Sequence, residues 1–386
     1  MKNNKECAYC ESELTESSDS REHIIPNSIG GQKKVRGFIC KKCNNELGQT
    51  CDTVLAEQLN YFSLAVGIKR DRGFTPNKNM NIKTEDGTEL RLQSSGVMTR
   101  KEPFFEKDES GNFRMFARTE KEAKDMLKGV KKKHPEFNLE KELSEIKMTA
   151  FKVDSKVLHR LELGGKEAGR SIVKTAIAQC LVADIESYRC EIGIQILKNP
   201  TYDKGFFLFY THDLVIDRPK NILFHLVAVR GDLENSTLIA YVEYFGAMRM
   251  MVKLSNEYKG NSFTSVYAIN PQTGEELALS VNWDIPLDEL EVLFNNNELS
   301  HTELSHRNFN NAYQNAVNIA SNVRIMRERQ YVYRDALSTA LSQLGLEKGR
   351  IPDLKDKHKF NSIMTEILGS HPNHLNNIPP MPTPKK

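Results

Sequence analysis

Short apolar bursts separated by turn residues mark the first sixty positions of the chain. His23-Ile24-Ile25, closed by Pro26, predicts a strand, and Gly37-Phe38-Ile39 predicts a second. Between them, residues Asn27 to Lys34 with the pair Gly30-Gly31 predict a loop. From Asn44 onward Leu47, Val54, Leu55, Leu59 and Phe62 fall at positions that suit a helix. The expected order is strand, loop, strand, helix.

The rest of the chain alternates in texture. Residues 70–118 are punctuated by Gly87, Gly96 and Gly111 and read as irregular β structure, with Asp86-Gly87 as a hairpin signal. Residues 119–147 are a charged helical stretch that contains Lys131-Lys132-Lys133, a solvated helix end. Over 166–198, Ile172, Val173, Ala176, Ile177, Cys180, Leu181, Ile185 and Tyr188 recur at helical spacing. Phe206 to Tyr210, Ile222 to Val229, Leu238 to Phe245, Met248 to Leu254 and Phe263 to Ile269 then predict an antiparallel meander. Helix returns from about Leu304 to Leu344, with Phe309, Tyr313, Ala316, Ala320, Val323 and Met326 as one stripe. The proline-rich stretch His371 to Lys386 reads as a disordered tail. The expected fold class is α+β, divided into a small module at 1–70, a larger mixed helical and antiparallel-β body at 71–370, and the tail at 371–386.

Composition narrows this picture. Of 386 residues, 39% are hydrophobic and 27% charged, which supports a sizeable core and excludes wholesale disorder. There is no apolar run of the roughly 18 residues needed to span a bilayer, and no apolar region behind the polar N-terminus. A soluble, cytoplasmic protein with no membrane partner is expected, and an oligomer is compatible with it. The net charge of +3 is small for this length, so affinity for a polyanion has to come from local clustering.

The seven cysteines are unevenly distributed. Cys7-x2-Cys10 and Cys40-x2-Cys43 deliver four soft ligands from two chain segments, the pattern of a tetrahedral zinc site. Four protein ligands leave no open position, so the zinc is expected to be structural, clamping a module too small to bury a stable core. Cys51, Cys180 and Cys190 are expected to be buried small hydrophobes.

Between the cysteine pairs lies Arg21-Glu22-His23-Ile24-Ile25-Pro26, and directly after the last cysteine comes Asn44-Asn45. With Gly30-Gly31 and the following helix start, residues 7–60 resemble an HNH endonuclease module, the ββα-metal nuclease fold in zinc-stapled form. The resemblance covers about the first sixth of the chain. It implies a metal-dependent hydrolase of phosphodiester bonds in which His23 is the general base and Glu22 and Asn44 hold a catalytic magnesium ion. The chemistry suits such residues. A histidine has its unperturbed pKa near working pH, and a carboxylate and an amide oxygen are hard donors for a magnesium that keeps waters and takes phosphate oxygens. Many such modules carry a further asparagine at the start of the second strand, where this chain has a residue near Val35; Asn45 or Asp52 is a candidate to replace it, and Asp52 also reads as a helix-surface residue.

Lys33, Lys34, Arg36, Lys41 and Lys42 lie in a stretch without acidic residues, a local positive potential suited to nucleic-acid phosphates. The expected partner is nucleic acid, DNA ahead of RNA. HNH modules joined to large unassigned bodies often belong to bacterial restriction or anti-phage systems, so by analogy the resemblance extends to a defence role. Two alternatives stand beside the DNA endonuclease: a zinc-stapled nucleic-acid-binding or regulatory protein without hydrolysis, and an RNA-cleaving toxin. The other nine histidines show no metal-ligand spacing and read as structural.

Overall fold

The computed structural model describes residues 6–71, 73–74, 79–93, 96–107, 113–117, 120–133, 135, 137–140, 155–158, 163–199, 201, 207–295, 303–346, 353 and 355–369. The fold is α+β, with its sheets antiparallel. The chain separates into two compact units, one of residues 1–78 with 161–322, the other of residues 79–160 with 323–386. The units interleave along the chain. The proline-rich stretch 371–386 lies outside the described residues.

In the N-terminal module, β1 (Glu22–His23) and β2 (Lys34–Val35) pair antiparallel, with Glu22 opposite Val35 and His23 opposite Lys34. The second strand signal, Gly37-Phe38-Ile39, falls just beyond β2, and Phe38 and Ile39 are fully buried. The loop between the strands contains a 3-10 turn, Asn27–Ile29, that ends on Gly30 at a φ of +104°. A short helix spans Lys41–Leu47 with Cys40 at its N-cap, so helix begins three residues before Asn44. It continues through a π turn, Gly48–Asp52, into helices Thr53–Gln58 and Asn60–Val66, where Gly67 at a φ of +66° stops it. Short strands β3 (Lys69–Arg70) and β4 (Gly73–Phe74) then pair.

The unit of 79–160 with 323–386 holds a sheet of β5 (Met80–Thr84), β6 (Glu89–Leu92), β7 (Met98–Arg100) and β10 (Val157–Leu158) in the order β10-β5-β6-β7, and a pair β8 (Phe104–Lys107) with β9 (Phe113–Phe116). The Asp86-Gly87 signal is the turn between β5 and β6, with Gly87 at a φ of +82°. The charged helix spans Glu120–Lys133, and its three terminal lysines face the negative end of the helix dipole.

The larger sheet lies in the other unit. Its strands are β11 (Phe207–Phe209), β13 (His225–Asp232), β14 (Thr237–Tyr244), β15 (Met248–Ser255) and β16 (Phe263–Ile269), beside a short pair β12 (Val215–Ile216) with β17 (Ser280–Val281). The five predicted strands are there and antiparallel, but the order is β11-β15-β14-β13-β16. Only β13, β14 and β15 follow a meander; β16 crosses back to the open edge of β13. Strands β13 to β15 are buried on both faces, which is why they read as near-continuous apolar runs. Leu226, Ala228, Ile239, Tyr241, Met251 and Ala268 face a cluster with Phe224, Ile285, Leu290 and Phe294, against which Trp283 packs. Helix Lys166–Val182 packs against β13 to β16 and is buried nearly all round. Helix Glu191–Lys198 follows it, and the helical stretch predicted for 166–198 is thus two helices.

A buried histidine helps dock the module onto this sheet. His225, fully buried, donates from Nε2 to the carbonyl of Ile29 (2.8 Å) and accepts at Nδ1 from the Phe245 amide (3.2 Å). Burial holds its pKa down at about 4, so it stays neutral. Gly31 sits so close to the Ile25 carbonyl that a Cβ there would lie 1.8 Å from the oxygen. Gly31→Ala should therefore destabilise the protein by about 1–3 kcal/mol, the usual cost of overpacking. Gly48→Ala, in helical conformation with nothing within 4 Å of the added carbon, should leave stability unchanged or raise it. Chemical denaturation of both variants tests the pair, and equal stabilities would show that the turn relaxes freely.

Candidate functional site

The four predicted zinc cysteines converge, all four Sγ atoms lying within 4.8 Å of one another. Cys10 and Cys40 Sγ are 3.8 Å apart, the edge of a tetrahedron with Zn–S bonds of about 2.3 Å, roughly 3.8 Å. The Cys40 amide donates to Cys7 Sγ (3.2 Å), and Ser12 Oγ lies 3.0 Å from Cys10 Sγ. That contact helps hold the Cys10 thiol down at about 6, whereas burial pushes Cys7 and Cys43 up. Four thiols this close, three of them buried and Cys10 exposed, fit a zinc ion, which would be held by Cys7, Cys10, Cys40 and Cys43. Cys51, Cys180 and Cys190 are buried, as expected.

Glu22 points inward from β1 and is 3% exposed. The Asn44 side chain, in the first turn of the helix that follows Cys40, hydrogen-bonds its carboxylate. The two predicted oxygen donors are thus together. A second carboxylate, Asp52, stands beside them at the end of the π turn. Between Glu22 and Asp52 lies the ammonium of Lys174, from helix Lys166–Val182: Nζ is 2.8 Å from Glu22 Oε1 and 2.5 Å from Asp52 Oδ2. Ser171 donates to the other Asp52 oxygen (2.6 Å). Burial, and then the nearby Asp52 charge, push the Glu22 carboxyl up against the pull of Lys174. For Lys174, burial works against its charge, yet Asp52 and Glu22 keep its pKa above the ordinary lysine range.

His23 leaves the same strand on the opposite side, its side chain 20% exposed. Its Nε2 lies 3.0 Å from Asp71 Oδ2, and Lys34, directly across the strand pair, bonds the same oxygen. The Asp71 amide is fixed by Asn27 Oδ1 (3.1 Å). Burial alone would raise the Asp71 carboxyl, but hydrogen bonds from Lys34 and His23 hold it below the usual carboxylate range. The ionised carboxylate can only accept, so Nε2 carries the proton and Nδ1 keeps a free lone pair. Burial lowers the His23 pKa and Asp71 opposes it; the net shift is downward.

The basic stretch is partly neutralised by acids from elsewhere in the fold. Lys33 pairs with Glu276 (3.5 Å) and lies over the Tyr267 ring, Lys34 is held by Asp71, and Arg36 reaches Asp19 (3.8 Å). Lys41 donates to the Ser17 carbonyl (2.6 Å), and Lys42 is exposed. Asp71 and Lys174 were not singled out from the sequence, and Asn45, a candidate for the missing strand asparagine, is exposed on its helix. Asp52 is the one of the two candidates that reaches the Glu22 cluster.

Residues 7–60 match a family model described as HNH endonuclease. No curated protein and no solved structure matches the chain. The N-terminal part of the chain is an HNH endonuclease module built on a four-cysteine frame. Such a module implies a nucleic-acid substrate. Among the described residues no helix is long and apolar enough to cross a membrane.

A catalytic magnesium ion, expected on Glu22 and Asn44, keeps waters and takes phosphate oxygens, so it needs an open position. The Glu22 carboxylate is closed off from solvent and already holds an ammonium, so these residues do not fit such an ion as they stand. The zinc frame does fit its metal, and it yields a prediction. The purified protein should contain one zinc per chain, Cys40→Ser should lose it, and chelation should lower the melting temperature. If zinc binding contributes even about 3 kcal/mol, the fall is roughly 6–12 °C. Elemental analysis and thermal denaturation check this, and a metal-free protein with an unchanged melting temperature would contradict it.

Proposed function

We propose that the protein is an endonuclease that hydrolyses phosphodiester bonds in DNA, with His23 as general base. The observation that carries the proposal is the His23–Asp71 hydrogen bond, which aims the basic Nδ1 away from its carboxylate partner on the partly open side of β1. Water held at Nδ1 gives up its proton to the imidazole as its oxygen attacks phosphorus. The phosphorus–3′-oxygen bond breaks, and the leaving oxygen takes a proton from solvent or from the imidazolium. Lys34 and the exposed Lys42 supply positive charge near the phosphates, together with what remains of Lys33, Arg36 and Lys41. DNA stands ahead of RNA on the resemblance alone, as does a role in restriction or anti-phage defence.

Lys174 on Glu22 favours a second reading, a zinc-stapled nucleic-acid-binding protein that does not hydrolyse its ligand. It predicts salt-dependent binding without product.

Plasmid nicking and RNA degradation, measured side by side with and without added magnesium, separate these outcomes. His23→Ala should lower cleavage by about 10²–10⁴-fold, the usual contribution of a general base. Cleavage should rise with pH as His23 loses its proton and level off near neutrality, since its pKa lies below the ordinary 6.5. Asp71 favours the protonated ring, whereas Lys34 and Lys174 disfavour it. In Asp71→Asn the acid limb of the profile should therefore move to lower pH while the plateau falls. Equal cleavage by wild type and His23→Ala would overturn the base assignment; binding with no product from either nucleic acid would favour the second reading.

A further inference from the structure

We infer that Lys174 is the resident cation of the HNH module: its ammonium fills the place between Glu22 and Asp52 that a divalent metal would take, and keeps that centre closed to metal. The inference rests on residues 7–60 being an HNH module and does not need the module to cleave. The lysine comes from outside that module, 122 residues beyond Asp52. Its side chain is 1% exposed and that of Glu22 5%, so neither reaches bulk water. The two carboxylates a metal would use are both engaged. Glu22 takes Lys174 and the Asn44 amide, and Asp52 takes Lys174 on one oxygen and Ser171 on the other.

The helix that carries the ammonium is held in place. Helix Lys166–Val182 is fixed one residue on by Thr175 to Tyr244 (3.1 Å) and further along by Gln179 to Ser265 (2.9 Å). Arg170, one turn before Lys174, is taken up by Glu167 and the Leu197 carbonyl, so it does not compete for the two carboxylates. A divalent ion on Glu22 would sit against this fixed positive charge in a site with little solvent to screen it. One charge therefore serves two ends: it neutralises the inward face of β1, and it ties the module to the central helix.

The test uses the full-length, zinc-loaded protein and manganese as probe, followed by electron paramagnetic resonance and calorimetry. Wild type and Glu22→Gln should bind manganese alike, because Glu22 offers it no site. Lys174→Met, which keeps the length of the side chain and removes its charge, should gain a manganese site at least tenfold tighter than any in the wild type. That gain should vanish in Lys174→Met/Glu22→Gln. A wild-type manganese site abolished by Glu22→Gln overturns the inference, and so does a folded Lys174→Met with no gain. If Lys174→Met fails to fold, as judged by near-ultraviolet circular dichroism, the comparison of wild type with Glu22→Gln decides alone. Manganese on Glu22 in the wild type would leave the nuclease proposal standing. Absence of cleavage, with no such site, would remove the nuclease proposal and leave Lys174 as assigned.

Discussion

An ammonium taken out of water loses several kcal/mol of hydration, and it is tolerated only where carboxylates and hydrogen bonds replace the solvent around it. Lys174 meets that condition only if Glu22 and Asp52 are both in place. Those two residues lie on different elements of the N-terminal module, the first strand and the end of the π turn. Satisfying one lysine therefore fixes the relation of strand to helix inside the module and of the module to the sheet-backed helix behind it. Removing either acid leaves charge buried with too little compensation, the situation that costs most in a protein interior.

The zinc frame and the lysine hold the module at different ranges. The four cysteines bring together segments 30 residues apart, and a zinc ion held there would order the turn, strand and helix start locally. The lysine, with the neutral His225 under Ile29, secures the assembled module to the body. The π turn at Gly48–Asp52 has a physical reason in this scheme. One extra residue in the helical ladder re-aims the side chains that follow, and Asp52 at its end meets Ser171 and Lys174.

What the sequence made legible follows the range of each constraint. Two C-x2-C turns declare a metal because ligand spacing is local. Glu22, His23 and Asn44 could be named because the order of motifs over residues 7–60 resembles an HNH module. The β-rich stretch of 207–269 could be read from its apolar runs, although its strand order could not, since β16 pairing with β13 depends on which edge lies open after the first three strands have formed. Asp71 and Lys174 escaped notice because their partners are 48 and 122 residues away. A signal for the second was present. Glu167, Arg170, Ser171 and Lys174 fall at i, i+3, i+4 and i+7, a polar stripe on a helix that is largely apolar and buried. Its members meet Cys51, Tyr9, Asp52 and Glu22, all from the N-terminal module.

Strand alternation explains how one dipeptide carries two roles. Successive residues of a strand project to opposite faces, so Glu22 enters the interior and meets the lysine while His23 emerges beside Asp71 and Lys34. Each residue has acquired a partner of the opposite charge type, but in media that make those partners act differently. In the interior the ion pair is strong, unscreened and hard to open, which suits structure. At the surface the Asp71 contact is weaker and screened, so it can orient the imidazole without locking it in the charged form. A histidine held in one tautomer, with its pKa below the ordinary value, is poised to accept a proton at neutral pH, and the buried pair one residue earlier keeps the strand that carries it from shifting.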